Sequence, residues 1–305
     1  MSVQRLQELI FQKKNPTVLG LDPRLDYLPP ALLNPVLSEQ GETLEAAAQA
    51  VWQFNKGLID VLSDCIPAVK LQSACYEMLG APGFALLIRT VHYARQAGLY
   101  VIVDAKRGDI GSTSEAYSAA FLGRVTVGQT VIAPVDADAL TVNPYLGSDN
   151  TDPFVRDCKA YDKMIFVLGR TSNPSSAELQ ELDAEGLPLY HRVALLVERW
   201  GKGTETSCGY SAVGLVVGAT HPEQTRVLRG LLPNTFFLVP GFGAQGGTAR
   251  DVKWAFDEKG GGALVNNSRG LMCAWQKDGG VSSFADASRA AALRMKEQLG
   301  EALGQ

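Results

Sequence analysis

The chain of 305 residues predicts one domain of the (β/α)8 (TIM) barrel class, on three observations. Short apolar runs alternate with helix-period segments about eight times, the pattern of a parallel α/β fold. Several runs end in charge, at Asp22, Lys70, Asp104 and Lys106, and a barrel carries its active site at the C-terminal ends of its strands. Glycine-containing turns follow the seventh and eighth runs, where such barrels customarily bind phosphate. An open doubly wound sheet is the competing architecture. No internal repeat, low-complexity tract or linker marks a second domain, so the expected unit spans 1–305.

Residues 2–14 alternate Leu, Ile and Phe with Gln, Glu and Lys, which predicts an amphipathic helix and not a signal segment. The run 17–22 ends in Asp22 and Pro23 and reads as the first strand. Pro29, Pro30 and Pro35 mark a connection to a long helix at about 44–62. A second strand, 67–72, ends in charge, and a helix over 83–97 closes at Gly98, a common C-terminal stop. The third strand, from Val101, opens into a helix near Ser112 or Thr113. Strands at 139–143 and 164–168 follow, separated by a short helix around 152–160. The polar stretch 175–188 reads as a surface insertion or lid. Helices at 190–200, 222–231, 248–256 and 285–299 and strands at 213–217, 236–240 and 263–267 complete the alternation.

Composition narrows the function classes. With 46% hydrophobic and 20% charged residues and a mean hydropathy of zero, the chain reads as a soluble globular protein with a large core. A net charge of −4 argues against nucleic acid as the main partner, since phosphate backbones recruit basic surfaces. Five scattered cysteines without a CxxC pair suggest neither disulfides nor structural zinc. Three histidines lack ligand-pair spacing, so no metal site is expected. No apolar run reaches membrane-spanning length, and the cytoplasm is the expected location.

The densest chemistry lies at Asp104-Ala105-Lys106-Arg107-Gly108-Asp109. Strand alternation points Asp104 and Lys106 the same way. A lysine held between Asp104 and Asp109 stays cationic, which suits electrostatic work and proton donation better than Schiff-base chemistry. Residues 241–246 spell GxGxxG, but Asn266 and Asn267 stand where a dinucleotide fold carries its ribose-binding acid. The glycines instead read as a phosphate loop, with Arg269 of Ser268-Arg269-Gly270 beside it. Glu115 and Asp138 are candidates for supporting the site from behind.

The run Asp104-Ala105-Lys106-Arg107-Gly108-Asp109-Ile110-Gly111-Ser112-Thr113 is similar to the DxKxxD motif of the orotidine 5′-phosphate decarboxylase family, its longer bacterial branch most of all. The likeness extends from Leu21-Asp22-Pro23 to Ser268-Arg269-Gly270. It implies a cofactor-free, metal-free decarboxylation of orotidine 5′-phosphate to uridine 5′-phosphate and CO2, the last step of UMP biosynthesis, in a cytoplasmic homodimer. Lys70, Asp104, Lys106 and Asp109 match the family's charged network, with Asp109 reaching the neighbouring subunit's site. Ile110 and Thr113 travel with it, Thr113 towards the partner's nucleotide. Asp22 and Lys70 match ribose-binding positions, Ser172 the serine that reads the pyrimidine amide edge, and Gln245 and Arg269 the phosphate ligands. Ser268 departs from the glycine usual before that arginine in the smaller enzymes. Neither a nucleic-acid nor a membrane partner is implied. The alternatives are a magnesium-dependent sugar-phosphate lyase, such as hexulose-phosphate synthase, and a catalytically silent nucleotide-binding protein. The lyases carry Glu at the end of the second strand, where this chain has Lys70.

Overall fold

Eight of the apolar runs become strands that are buried on both faces, which is why they read as near-continuous hydrophobic sequence. The computed structural model describes residues 2–243, 246–277 and 283–304. Its strands are β1 (Thr17–Leu21), β2 (Ala68–Gln72), β3 (Tyr100–Arg107), β4 (Ala139–Val142), β5 (Met164–Arg170), β6 (Val213–Val217), β7 (Phe237–Val239) and β8 (Ala263–Asn267). They form a closed parallel barrel in chain order, and β8 closes on β1 through Thr17↔Val265, Val18↔Asn266 and Leu19↔Asn267. The open-sheet alternative is thereby excluded.

Ser2–Lys13 lies across the N-terminal end of the barrel. Its Val3, Leu6 and Ile10 are buried, Ser2 Oγ is 2.8 Å from the Tyr100 hydroxyl, and Gln7 Oε1 accepts from the Gly262 amide. Those partners begin or precede β3 and β8, so the helix seals that mouth and leaves the C-terminal mouth for chemistry. Outer helices such as Leu44–Leu62 and Phe284–Leu303 start at threonine or serine caps, Thr43 accepting from the Ala46 amide and Ser283 from that of Asp286.

Several segments differ from the sequence expectation, among them short helices at Ser73–Glu77 and Arg269–Met272. The prolines at 29–35 belong to a helix, Pro30–Gln40: Pro30 in the first turn forfeits no hydrogen bond, and Pro35 lies inside. Its Val36 is buried, and Leu32, Leu33 and Leu37 pack on the core. A two-stranded hairpin, Val125–Val127 with Thr130–Ile132, precedes β4, turning at Gly128 with φ +61°. Alternating valine and threonine around a Gly-Gln turn is a hairpin signal that the reading passed over. The 248–256 segment is only a short helix, Ala249–Val252, followed by a 3-10 turn. Residues 175–188 hold a 3-10 turn at Pro174–Ser176, a helix at Ala177–Gln180 and a bridge between Asp183 and Pro188. No helix among the described residues is long and apolar enough to cross a membrane.

Packing is tightest where glycine admits a neighbour. A Cβ on Gly214 of β6 would lie 2.7 Å from Met164 Cε, Phe166 Cδ1 and the carbonyl oxygen of Phe236. The carbonyl cannot swing aside as a side-chain end can. Gly214→Ala is therefore expected to lower unfolding stability by about 1–3 kcal/mol in urea titration; undiminished stability would contradict this packing.

Candidate active site

Pairing of β2 with β3 sets Gln72 opposite Asp104, and Lys70 projects to the same side as Gln72 two residues earlier. Lys70 Nζ lies 2.9 Å from Asp104 Oδ2 and 3.6 Å from Asp22 Oδ1 at the end of β1. Lys106 Nζ lies 2.6 Å from the other oxygen, Asp104 Oδ1. The order Asp22, Lys70, Asp104, Lys106 alternates in sign along the C-terminal mouth.

Lys70 is 3% exposed and Asp104 8% exposed, so their charges exist only because they are paired. Burial alone would discharge both. For Lys70 the Asp104 and Asp22 carboxylates outweigh it and hold the ammonium above the ordinary lysine value. For Asp104 the Lys70 and Lys106 cations outweigh it and hold the carboxyl well below the usual carboxylate range.

Lys106 does not sit on a regular strand. Its φ is +50°, in the left-handed region, and the β3–β4 register shifts between Val103 and Arg107. The contact with Asp104 that alternation predicted is made through this bulge. Lys106 N–H donates to Thr141 Oγ1 at 2.9 Å, and that hydroxyl donates to Asp104 Oδ1 at 2.9 Å. Gln72 Nε2 adds a weaker bond to Asp104 Oδ2 at 3.4 Å.

These groups form one wall of a cavity of about 660 Å3, a usual size for a small-molecule site. Ser172, Asn173 and Gln180 line it from the loop after β5, and Asn266, Ser268 and Arg269 from the end of β8. Leu168, Val216, Leu238 and Pro240 supply an apolar floor. Asp22, Lys70, Asp104, Lys106, Ser172 and Arg269 are thus brought together. Gly20 makes room at the β8 edge, since a Cβ there would lie 1.9 Å from Ser268 Oγ. Gln245 lies outside the described residues.

Asp109 and Thr113 do not line this cavity. The Asp109 amide donates to Asn150 Oδ1, its carboxylate accepts from the Ile110 amide, and it makes no ion pair with Lys106. Among the described residues, the expected lysine between two carboxylates is therefore paired with Asp104 and not with Asp109. Thr113 is exposed on the helix Gly111–Phe121. Neither candidate support lies behind the site: Asp138 precedes β4 at the sealed end and accepts from the Val101 amide, and Glu115 pairs with Arg156 at the surface.

The sequence reading missed three groups that shape the wall. Thr141 and Gln72 are uncharged polar residues near strand ends and lack the charge that marks Lys70. Arg170, at the end of β5, is 1% exposed and donates to Ser176 Oγ at 2.5 Å, Gln180 Oε1 at 3.1 Å and Gln224 Oε1 at 2.6 Å. Gln180 in turn accepts from the Thr171 amide at 2.9 Å. A buried guanidinium thereby moors the segment that carries Ser172. Among the described residues no group of three His, Cys, Asp or Glu side chains is arranged to hold a metal ion.

Known proteins share this arrangement of sequence and fold. The chain is 43% identical to an orotidine 5′-phosphate decarboxylase of Rhodopirellula baltica, over 97% of each. It is similar in structure to the OMP decarboxylase of Leishmania donovani, at a TM-score of 0.75 and 31% identity, covering 98% of this chain and 99% of that one. It also matches L. donovani UMP synthase at a TM-score of 0.76 and 34% identity, where 98% of this chain spans 56% of that protein. The model of the orotidine 5′-phosphate decarboxylase / HUMPS family matches residues 43–276, a span that holds Lys70, Asp104, Lys106 and Arg269. With both the family model and near-full-length relatives in agreement, the chain belongs to the orotidine 5′-phosphate decarboxylase / HUMPS family.

Proposed function

We propose that this chain decarboxylates orotidine 5′-phosphate to uridine 5′-phosphate, and the observation that carries the reading is the Lys70–Asp104–Lys106 chain on the wall of a cavity that also holds Arg269. Arg269 holds the phosphate at one end, with Gln245 as its partner. Ser172 reads the pyrimidine edge, and Asp22 and Lys70 take the ribose hydroxyls. That pose sets the C6 carboxylate against Asp104.

The chemistry follows from the charges. Two carboxylates about 4 Å apart repel by roughly 4 kcal/mol at a surface-like effective dielectric, which raises the ground state but falls short of a large rate enhancement. The C6–carboxylate bond breaks, CO2 leaves, and the electron pair stays on C6 as a carbanion beside the Lys106 ammonium. Lys106 is aimed at charge that develops only in the transition state, the larger contribution. It then transfers a proton from Nζ to C6 and is recharged from water. Every step uses a group of the protein or solvent, so the scheme calls for no cofactor.

The family also contains HUMPS members, which makes a sugar-phosphate lyase the second reading. A divalent cation there would need the carboxylates of the mouth as ligands. Lys70 lies 2.9 Å from Asp104 and 3.6 Å from Asp22, and with Lys106 it balances both carboxylates, which favours the metal-free reaction. In the favoured reading the enzyme works in the cytoplasm, where five free cysteines fit a reducing compartment. It works as a homodimer: Asp109 and Thr113 stand outside their own cavity, beside an Ile110 that is 56% exposed, and reach the partner's site.

Orotidine 5′-phosphate turnover in EDTA, followed by absorbance, tests the reaction. Metal-independent formation of uridine 5′-phosphate is expected, falling by on the order of 10²–10⁴ or more in Lys106→Ala. No turnover by folded protein would overturn the reading; undiminished turnover by the variant would keep the reaction and overturn the role of Lys106. The dimer is tested by mixing inactive Lys106→Ala with inactive Asp109→Asn. If Asp109 acts across a two-fold interface, hybrids regain one intact site, or roughly a quarter of wild-type activity at equimolar mixing; no recovery despite subunit exchange would sink it.

A further inference from the structure

Thr141 is 1% exposed and belongs to none of the charged positions, yet one oxygen of it joins two of them. Its Oγ1 lies 2.9 Å from the Lys106 amide nitrogen and 2.9 Å from Asp104 Oδ1. An amide N–H can only donate and an ionised carboxylate can only accept, so the one hydroxyl proton is committed to Asp104.

The register explains why a side chain is needed here. Val103 pairs with Leu140 and Arg107 with Val142, so residues 104–106 of β3 face Thr141 alone on β4. Within such a bulge the ladder has no carbonyl to spare for the Lys106 amide. The ladder resumes one step later, where the Asn143 amide donates to the Arg107 carbonyl. A left-handed lysine is strained and persists only where its surroundings over-determine it.

We infer that Thr141 is a positioning residue: its hydroxyl replaces the missing ladder bond, holds the Lys106 backbone in the left-handed region, and fixes the Asp104 carboxylate to that same point. It thereby sets the reach of the Lys106 ammonium relative to the carboxylate. This rests on the reading of Lys106 as the proton donor, but the geometric part does not.

The test compares Thr141→Val, which keeps the shape and removes the hydroxyl, with Thr141→Ser, which keeps the hydroxyl. In the valine variant kcat for orotidine 5′-phosphate is expected to fall about 10–100-fold with KM and calorimetric affinity for uridine 5′-phosphate little changed, and the serine variant to restore kcat. Exchange of the Lys106 amide with deuterium is expected to rise roughly tenfold or more in the valine variant and not in the serine variant. A valine variant with wild-type kcat, a serine variant as impaired as the valine one, or unaltered amide exchange would overturn the inference. A wild-type chain inert towards orotidine 5′-phosphate would overturn the decarboxylase reading, and the amide exchange would then decide the role of Thr141 alone.

Discussion

Asp104 accepts hydrogen bonds on both oxygens from groups on three strands: Lys70 and Gln72 from β2, Lys106 from its own strand, and Thr141 from β4. A carboxylate has about four lone-pair sites, and here all four are engaged. The group is therefore immobile as well as ionised. Removing one partner from a buried pair of this kind costs about 3–5 kcal/mol, so the mouth of the barrel depends on its charges as much as the core depends on its apolar packing. The alternating order keeps each charge beside an opposite one while concentrating all of them on one wall.

The same pairing makes the charge state insensitive to pH over the working range. Asp104 is held below the usual carboxylate range, so its contribution to stability is complete above the unfolded value, about 3.9, and is lost as pH falls below it. Lys70 is held above the usual lysine value, so its contribution is complete below about 10.4 and is lost as pH rises beyond it. Between those limits Asp104 and Lys70 present fixed charges to whatever enters. Behind the loop after β5, Arg170 is likewise a buried ion, paired with the Glu181 carboxylate and hydrogen-bonded to Ser176, Gln180 and Gln224.

Much of this was legible because parallel barrel strands are buried on both faces and their sequences are therefore apolar up to the point where they meet the site. A charge at the end of such a run stands out, and Asp22, Lys70, Asp104 and Lys106 did. Thr141 and Gln72 did not, since a threonine or glutamine at a strand end is ordinary and only the bulge makes Thr141 indispensable. The left-handed conformation of Lys106 carried no sequence signal, because lysine has no special tolerance for it. The prolines at 29–35 read as a connection, whereas Pro30 begins a helix and Pro35 lies within it. Asp109 could be assigned beside Lys106 from spacing alone, but it lies past the end of β3 and outside the lining of the chain's own cavity.

The central claim is that Asp104 is locked as a carboxylate by four donors. The most direct measurement is the carboxyl ¹³C chemical shift of Asp104, assigned by difference with Asp104→Asn and followed from pH 9 downwards in the folded protein. The account predicts a shift that stays at the ionised position through pH ~4, the range where an ordinary aspartate titrates. A titration step at or above pH ~4 would contradict it.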